Sequence, residues 1–574
     1  MIRSMCVLIG LLAFSLPAFA AKPVAKPNAD SSTGKKTAKA DATPKTPATN
    51  GSGTNSSTSN NSPVSDRDPL PLAKMVDSEV DRLLREATIS ASLPTSDSEF
   101  LRRVTIDIVG RIPTAEKAQA FVADKSPDKR QKAIDELLAD KEYGTNFGTI
   151  WYHLLVVPND DNRRLVKHTF ADWMSEQFDQ NRGWDKIVQE ILTVEGELDT
   201  HPATVFWFAH SEGNKDAKLK PQEALASATQ RFLGTQYQCA ECHNHPFTGF
   251  PQKDFWSMAA YFGKTNFTGA GKMAAKKGTG DPAVHEKAPG QASIEIPEKK
   301  GVLVTAKLPD GTVPSANSSS LRSEFAKWCT SPKNDAFARA AVNRMWSHFY
   351  GRGIVEPVDD FREGNNPSHP ELLKALAEEF TASGYDLKHL VRCICNSKAY
   401  QRSSDTTADN VNDEKLFSHM ALKAMSAEVM LNSLTTAAGH DLIEGRKSGR
   451  EGGGKKGNQS PAGQFIAQFN TSEEPDLPDY SHGVPQVLRL MNSGDLEKSC
   501  PTLDKLTSAN ASAPNKVIEG LYWSVLSRPP RPTETQKMSA YLAKSNVAAP
   551  GGPTKAYRDM FWVLLNSGEF VLNH

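Results

Sequence analysis

Between residues 21 and 66 the chain is built from Ala, Lys, Pro, Thr, Ser, Asn and Gly, with almost no large apolar side chain. Such a segment cannot bury enough surface to offset the entropy of ordering it, so it is expected to be a disordered tether. Everything that folds must then lie after it in a chain of 574 residues, enough for a large core and for two to four domains. Lys+Arg and Asp+Glu balance at 67 each, but residues 21–65 hold Lys22, Lys26, Lys35, Lys36, Lys39 and Lys45 against Asp30 and Asp41. The remainder is mildly acidic, which gives no electrostatic footprint for nucleic acid.

Arg3, the apolar stretch Met5 to Phe14 and the small-residue site Ala18-Phe19-Ala20 read as a secretory signal peptide over residues 1–20. Cys6 sits near the start of the apolar run rather than at its small-residue end, which argues against a lipid anchor. No later segment approaches the roughly 20 continuous apolar residues a membrane span needs. The expected location is therefore the periplasm or another extracytoplasmic space. Six further cysteines, Cys239, Cys242, Cys329, Cys393, Cys395 and Cys500, are too few in so long a chain for a disulfide framework.

Past the tether the pattern is mostly helical. Leu72, Val76, Val80, Leu83 and Leu84 recur at helical spacing, and Ser126-Pro127 supplies an N-cap and first-turn proline for a helix carrying Ile134, Leu137 and Leu138. Ser368-His369-Pro370-Glu371 has capping-box spacing ahead of Leu372, Leu373, Leu376 and Phe380, with a stop near Gly384. Residues 294–296 and 302–304 alternate instead and are followed by Pro309-Asp310-Gly311, which predicts a small β element. Residues 268–290 and 441–462 read as mobile loops.

The chemistry concentrates at Cys239-Ala240-Glu241-Cys242-His243-Asn244-His245-Pro246-Phe247. A Cys-x-x-Cys-His motif is the attachment signature of c-type haem. If a helical twist resumes after the helix predicted over 221–234, Cys239, Cys242 and His243 share a face. Two thiols can then form thioethers while the His243 imidazole takes the iron. Met258 is a candidate axial ligand on the other side; His153, His168, His201 and His210 are lone histidines elsewhere in the chain. Two other chemistries use the same residues. Cys239 and Cys242 can form a disulfide or redox pair, or Cys239, Cys242, His243 and His245 can hold a divalent metal such as zinc. For zinc the His243-x-His245 spacing is shorter than the usual three to five residues, and the site would need a remote fourth ligand.

The string Phe100-Leu101-Arg102-Arg103-Val104 through Asp107, Gly110 and Pro113-Thr114, then Tyr143-Gly144 and Trp151, resembles the planctomycete cytochrome-c-like domain. So do Gln238 through Phe247 and Ala259-Ala260-Tyr261-Phe262. The second half is similar to the C-terminal companion domain of unknown function. The similarity runs through Asn343-Arg344-Met345-Trp346, His348, Gly351-Arg352-Gly353, Asp359-Asp360-Phe361, Ser368 to Leu373, Asp386-Leu387-Lys388, Leu490-Met491-Asn492 and the closing Leu565 to Phe570. The resemblance implies cytochrome-like behaviour. Many members carry a separate N-terminal cytochrome domain where this chain has its tether, so the resemblance implies at most one haem here and no internal electron partner.

A second polar cluster, His348, Asp359, Asp360 and His369, could bind a divalent cation or supply acid and base, or could fix a loop through Arg344 and Arg352. There is no Gly-x-Ser-x-Gly, P-loop or dinucleotide fingerprint. The fold class expected is mainly α: two helical domains, 67–265 (cytochrome-c-like) and 321–574 (companion), joined by a linker with a small β element at 266–320. The functional expectation is an exported c-type haem protein working in redox or electron transfer with an unidentified redox partner. The alternatives are a divalent-metal-dependent hydrolase or polymer-processing protein, and a non-catalytic scaffold or surface-interaction protein.

Overall fold

The computed structural model describes residues 67–156, 167–213, 217–269, 282–287, 293–297, 299–315, 318–440, 500–545 and 552–574. The expected signal peptide, tether and 441–462 loop, and the 490–492 match, lie outside these residues.

The fold is mainly helical, as the periodicity predicts. Helix Leu70–Ala87 buries Val76, Val80 and Leu84 on one stripe. Helix Lys129–Ala139 buries Ile134, Leu137 and Leu138, but begins two residues later than the Ser126-Pro127 pair suggests, because Ser126 turns its hydroxyl to Asp124 instead of capping. Helix Pro370–Ala382 has the expected apolar face, yet its N-cap is His369 without a side-chain bond; Ser368 bonds the Ile354 carbonyl.

Strands are short. Ser293–Glu295 pairs antiparallel with Leu303–Thr305, Ile294 opposite Val304, where alternation predicts it. A three-stranded antiparallel sheet, in the order Gly196–Glu197, Ala283–Glu286, Thr265–Thr268, is an addition to the expected plan. It places a strand inside the stretch 268–290 that the composition assigns to a loop. Lys423–Ala424 pairs with Leu572–Asn573 near the end of the chain.

One apolar cluster runs continuously from Val76 to Met420, so residues 67–265 and 321–420 share a core. Helix Asp335–Tyr350 packs on helix Pro221–Leu233, and helix Leu70–Ala87 on helices Pro370–Ala382 and Leu387–Cys395. A second cluster gathers Met425 to Phe570 with Ile106 and Ile112.

Helix Asp97–Val109 sits between the two clusters and is buried throughout from Phe100 to Val109. Its charged side chains must therefore find partners inside, since an unpaired buried charge is strongly unfavourable. Arg102 donates to the carbonyls of Val525 and Phe570, and Arg103 to those of Tyr400, Arg402 and His574. Asp107 accepts from Lys423 Nζ at 2.6 Å, Asn573 Nδ2 at 2.7 Å and the Tyr400 hydroxyl at 2.7 Å. Among the described residues no helix is long and apolar enough to cross a membrane.

Candidate functional site

Helix Pro221–Leu233 starts with proline at its first turn, where the missing N–H costs nothing, and buries Leu225, Ala228 and Phe232. It ends at Gly234, whose φ of +65° lies in the left-handed region. A side chain there would meet the Phe361 ring, and the Phe361 N–H donates to the Gly234 carbonyl at 2.9 Å. Arg231, one turn earlier, pairs with Asp359 at 2.7 Å, and Asp359 also pairs with Arg344. The 353–365 loop is itself fixed by Asn343, which donates to the carbonyls of Val355 and Val358 and accepts from the Val355 N–H. Residues more than a hundred positions apart thus set the exit direction of the chain into the cysteine motif.

The motif does not continue the α-helix. It forms a 3-10 turn over Gln238–Ala240 and then an open turn. Cys239 lies within the 3-10 turn and Cys242 in the open turn that follows, and both are exposed. The residues between and after them hold the loop down. Ala240 is fully buried. The Glu241 carbonyl accepts from Gln252 Nε2 at 2.8 Å and Trp256 Nε1 at 2.9 Å. Asn244 Oδ1 accepts from the Gln252 N–H at 3.0 Å, the first residue of helix Gln252–Ala259.

The two histidines take different roles. His243 is exposed and its Nδ1–H donates to the Asn244 carbonyl at 2.7 Å, which leaves Nε2 as the nitrogen open to a metal. His245 is buried; its Nδ1 accepts from the N–H groups of Phe247 and Thr248, both at 3.2 Å, and its backbone N–H donates to the Phe250 carbonyl. His245 is a turn former, and the four-residue set Cys239, Cys242, His243 and His245 does not converge. Among the described residues no three His, Cys, Asp or Glu side chains come together as a metal-binding group.

Met258 is fully buried in the apolar core, on the inward face of helix Gln252–Ala259, whereas the three motif side chains are at the surface. His210 gives Nδ1 to the Phe206 carbonyl and His153 faces Glu428. The second polar cluster is dispersed as well. His348 Nε2 donates to the Asp107 carbonyl, Asp359 is held between Arg231 and Arg344, Asp360 faces Arg362 at 3.2 Å, and His369 lies against Phe417. Burial lowers the pKa of both His348 and His369 from the ordinary histidine value, that of His369 to about 4.

Sequence reasoning missed the wall beside the motif. A cleft of about 280 Å³ opens at the base of the loop between Tyr237 and Phe250, whose rings stack at 4.3 Å, and Phe361 and Arg362. Arg362 stands over the Phe247 ring at 4.8 Å. Only the long-range pairing of Gly234 with Phe361 brings these together, and local pattern carries no signal for it.

Fold and site together define a mainly helical protein with a clamped surface loop presenting two thiols and an imidazole. Residues 75–267 match the family PSCyt2, described as a protein of unknown function (DUF1549), and residues 321–542 match PSD1, a protein of unknown function (DUF1553). The chain carries both domains, and the cleft is walled by residues of each. No curated protein and no solved structure matches the chain.

Proposed function

We propose that this chain is an exported c-type haem protein that works in electron transfer, with Cys239 and Cys242 as the thioether residues and His243 as the proximal ligand. The observation that carries the reading is the His243 hydrogen bond: Nδ1–H is committed to the Asn244 carbonyl, the arrangement that orients a metal-ligating imidazole and leaves Nε2 for iron. Exposure of both thiols beside that ring supports it, as does the clamping of Glu241 and Asn244, which presents the three groups without further folding. The resemblance to a cytochrome-c-like domain points the same way.

Haem bound here would supply one-electron chemistry at its iron. The chain's own part is attachment and orientation. On attachment each of the Cys239 and Cys242 thiols would add across one vinyl double bond, sulfur to one carbon and hydrogen to the other, so no oxidant would be consumed. Gln252 and Trp256 hold the backbone between the thiols, and His245 closes the turn behind the imidazole. The signal-like N-terminus supports export, where attachment of this type takes place.

Intact mass spectrometry after expression with a c-type haem maturation system tests the assignment. The wild-type chain is expected to gain the mass of one haem, and Cys239→Ser/Cys242→Ser to gain none. A wild-type mass equal to that of the bare polypeptide overturns the reading.

A further inference from the structure

Lys423 and Asn573 stand opposite each other in the short antiparallel pair Lys423–Ala424 and Leu572–Asn573. Side chains of directly opposed residues leave a two-stranded ribbon on the same face, with Cβ atoms about 5 Å apart. Both turn inward: the Lys423 side chain is 9% exposed and Asn573 is 2% exposed. There they meet the same atom. Oδ1 of Asp107 accepts from Lys423 Nζ at 2.6 Å and from Asn573 Nδ2 at 2.7 Å, while the Tyr400 hydroxyl donates to Oδ2. An amine and a carboxamide thus lie side by side on one carboxylate oxygen, among residues, Phe349 and Tyr400, that water does not reach.

Two features set this cluster apart from an ion pair that only fills space. Oδ1 of Asn573 is buried and has no hydrogen-bond partner, an uncompensated cost that marks the amide as the one group the cluster leaves unsatisfied. Nζ of Lys423 also donates to the carbonyls of His348 and Phe349, each at 2.9 Å, at the end of helix Asp335–Tyr350. When the proton facing Asp107 passes to that carboxylate, those two bonds survive, and the freed lone pair opens on the side where the Asn573 amide stands. Burial favours the transfer, because it lowers the Lys423 pKa below the ordinary lysine value.

We infer that Lys423 and Asn573 condense into an intramolecular amide cross-link, with Asp107 moving the protons. Nζ bonds to Cγ of Asn573 as the Cγ–Nδ2 bond breaks. Of the two protons Nζ gives up, one stays on Asp107, which becomes a neutral acid, and one is relayed through it to Nδ2, which leaves as ammonia. Nothing is oxidised or reduced, and no co-reactant is consumed. Condensation replaces a buried ion pair by neutral groups and so removes the desolvation cost that charges carry inside. Escape of the ammonia makes the step one-way. Because only the fold brings the groups together, the bond forms after folding and then fastens the 572–573 strand to the 423–424 strand.

Peptide mapping by mass spectrometry of the full chain, folded and then denatured and digested with trypsin, tests the proposal. In wild type the peptide containing Lys423 should be joined to the one containing Asn573, the pair lighter than its parts by one ammonia, with no cleavage after Lys423. Lys423→Arg should give only separate peptides. Asp107→Asn, of the same shape and checked for folding by circular dichroism, should form the link on the order of a hundredfold more slowly. Separate peptides in folded wild type overturn the proposal whether or not any variant folds, as does loss of ammonia confined to one peptide around Asn573. A link from Lys423 to Asp107 with loss of water overturns the choice of Asn573, and an undiminished rate in Asp107→Asn overturns the role of Asp107.

Discussion

Arg231, on the helix that leads into the cysteine motif, and Asp359, in the loop that follows helix Asp335–Tyr350, form a buried ion pair at 2.7 Å. Both side chains are less than a tenth exposed, and Arg344 closes on the same carboxylate from the other side. The pair ties one matched domain to the other directly behind the candidate site. Removing the shared anion leaves two guanidinium groups buried without it. Asp359→Ala is expected to cost about 3–5 kcal/mol of stability, read as a lower urea midpoint with an unchanged slope; a loss under 1 kcal/mol would contradict this account of the interface.

Gly234 makes the same junction through its backbone. Its φ is +65°, and the Phe361 ring occupies the space a side chain would need. Gly234→Ala should therefore destabilise the chain by about 1–2 kcal/mol from the left-handed backbone alone, with a further loss from displacing Phe361. Gly249, also at positive φ but with open space around it, isolates the first effect from the second. Gly234→Ala should be the more damaging of the two in thermal unfolding.

Acid should weaken the fold as histidines buried in their neutral form are forced to take up protons. Burial holds the His369 pKa at about 4, below the ordinary 6.5, and lowers His210 and His348 in the same direction. The unfolded chain therefore binds more protons than the folded one as pH falls from 6.5 toward 4. Stability present above pH 6.5 is lost across that window, with His369 contributing on the order of 3 kcal/mol at most. Urea midpoints at pH 7.5 and pH 4.5 should differ, and His369→Gln should narrow the gap; a gap unchanged by the substitution would assign the acid sensitivity elsewhere.

The helices were legible from spacing because each buries a stripe of its own residues: Val76, Val80 and Leu84 need no distant information to be read as one face. The hairpin at Ile294 and Val304 was legible for the same reason. The sheet joining Gly196–Glu197 to Ala283–Glu286 was not, since two-residue pairing across some ninety positions leaves no local period. Nor were the interior roles of Arg102, Arg103 and Asp107, because charged side chains belong at the surface unless partners such as Tyr400, Lys423 and Asn573 arrive from far along the chain. At the site the motif itself could be read. The Gln252 and Trp256 clamps and the Arg362 wall depend on tertiary approach and could not.

The two neighbouring histidines separate the haem chemistry from a divalent-metal one. His243→Ala should abolish normal iron ligation, seen as an altered Soret band, because no other motif side chain offers its Nε2. His245→Ala should keep haem attached while loosening the turn that Phe247 and Thr248 make on its Nδ1. Equal and complete loss of cofactor in both variants, with the helical circular dichroism signal retained, would favour direct ligation of a metal by both imidazoles.

The central claim is that Cys239, Cys242 and His243 hold covalent haem, and the pyridine haemochrome spectrum of the exported wild-type chain tests it most directly. The expected result is the spectrum of haem bound through two thioethers, at one haem per chain, surviving acid-acetone extraction. A chain that is folded, exported and yields no haemochrome, with both Cys239 and Cys242 reacting as thiols after reduction, would contradict the assignment.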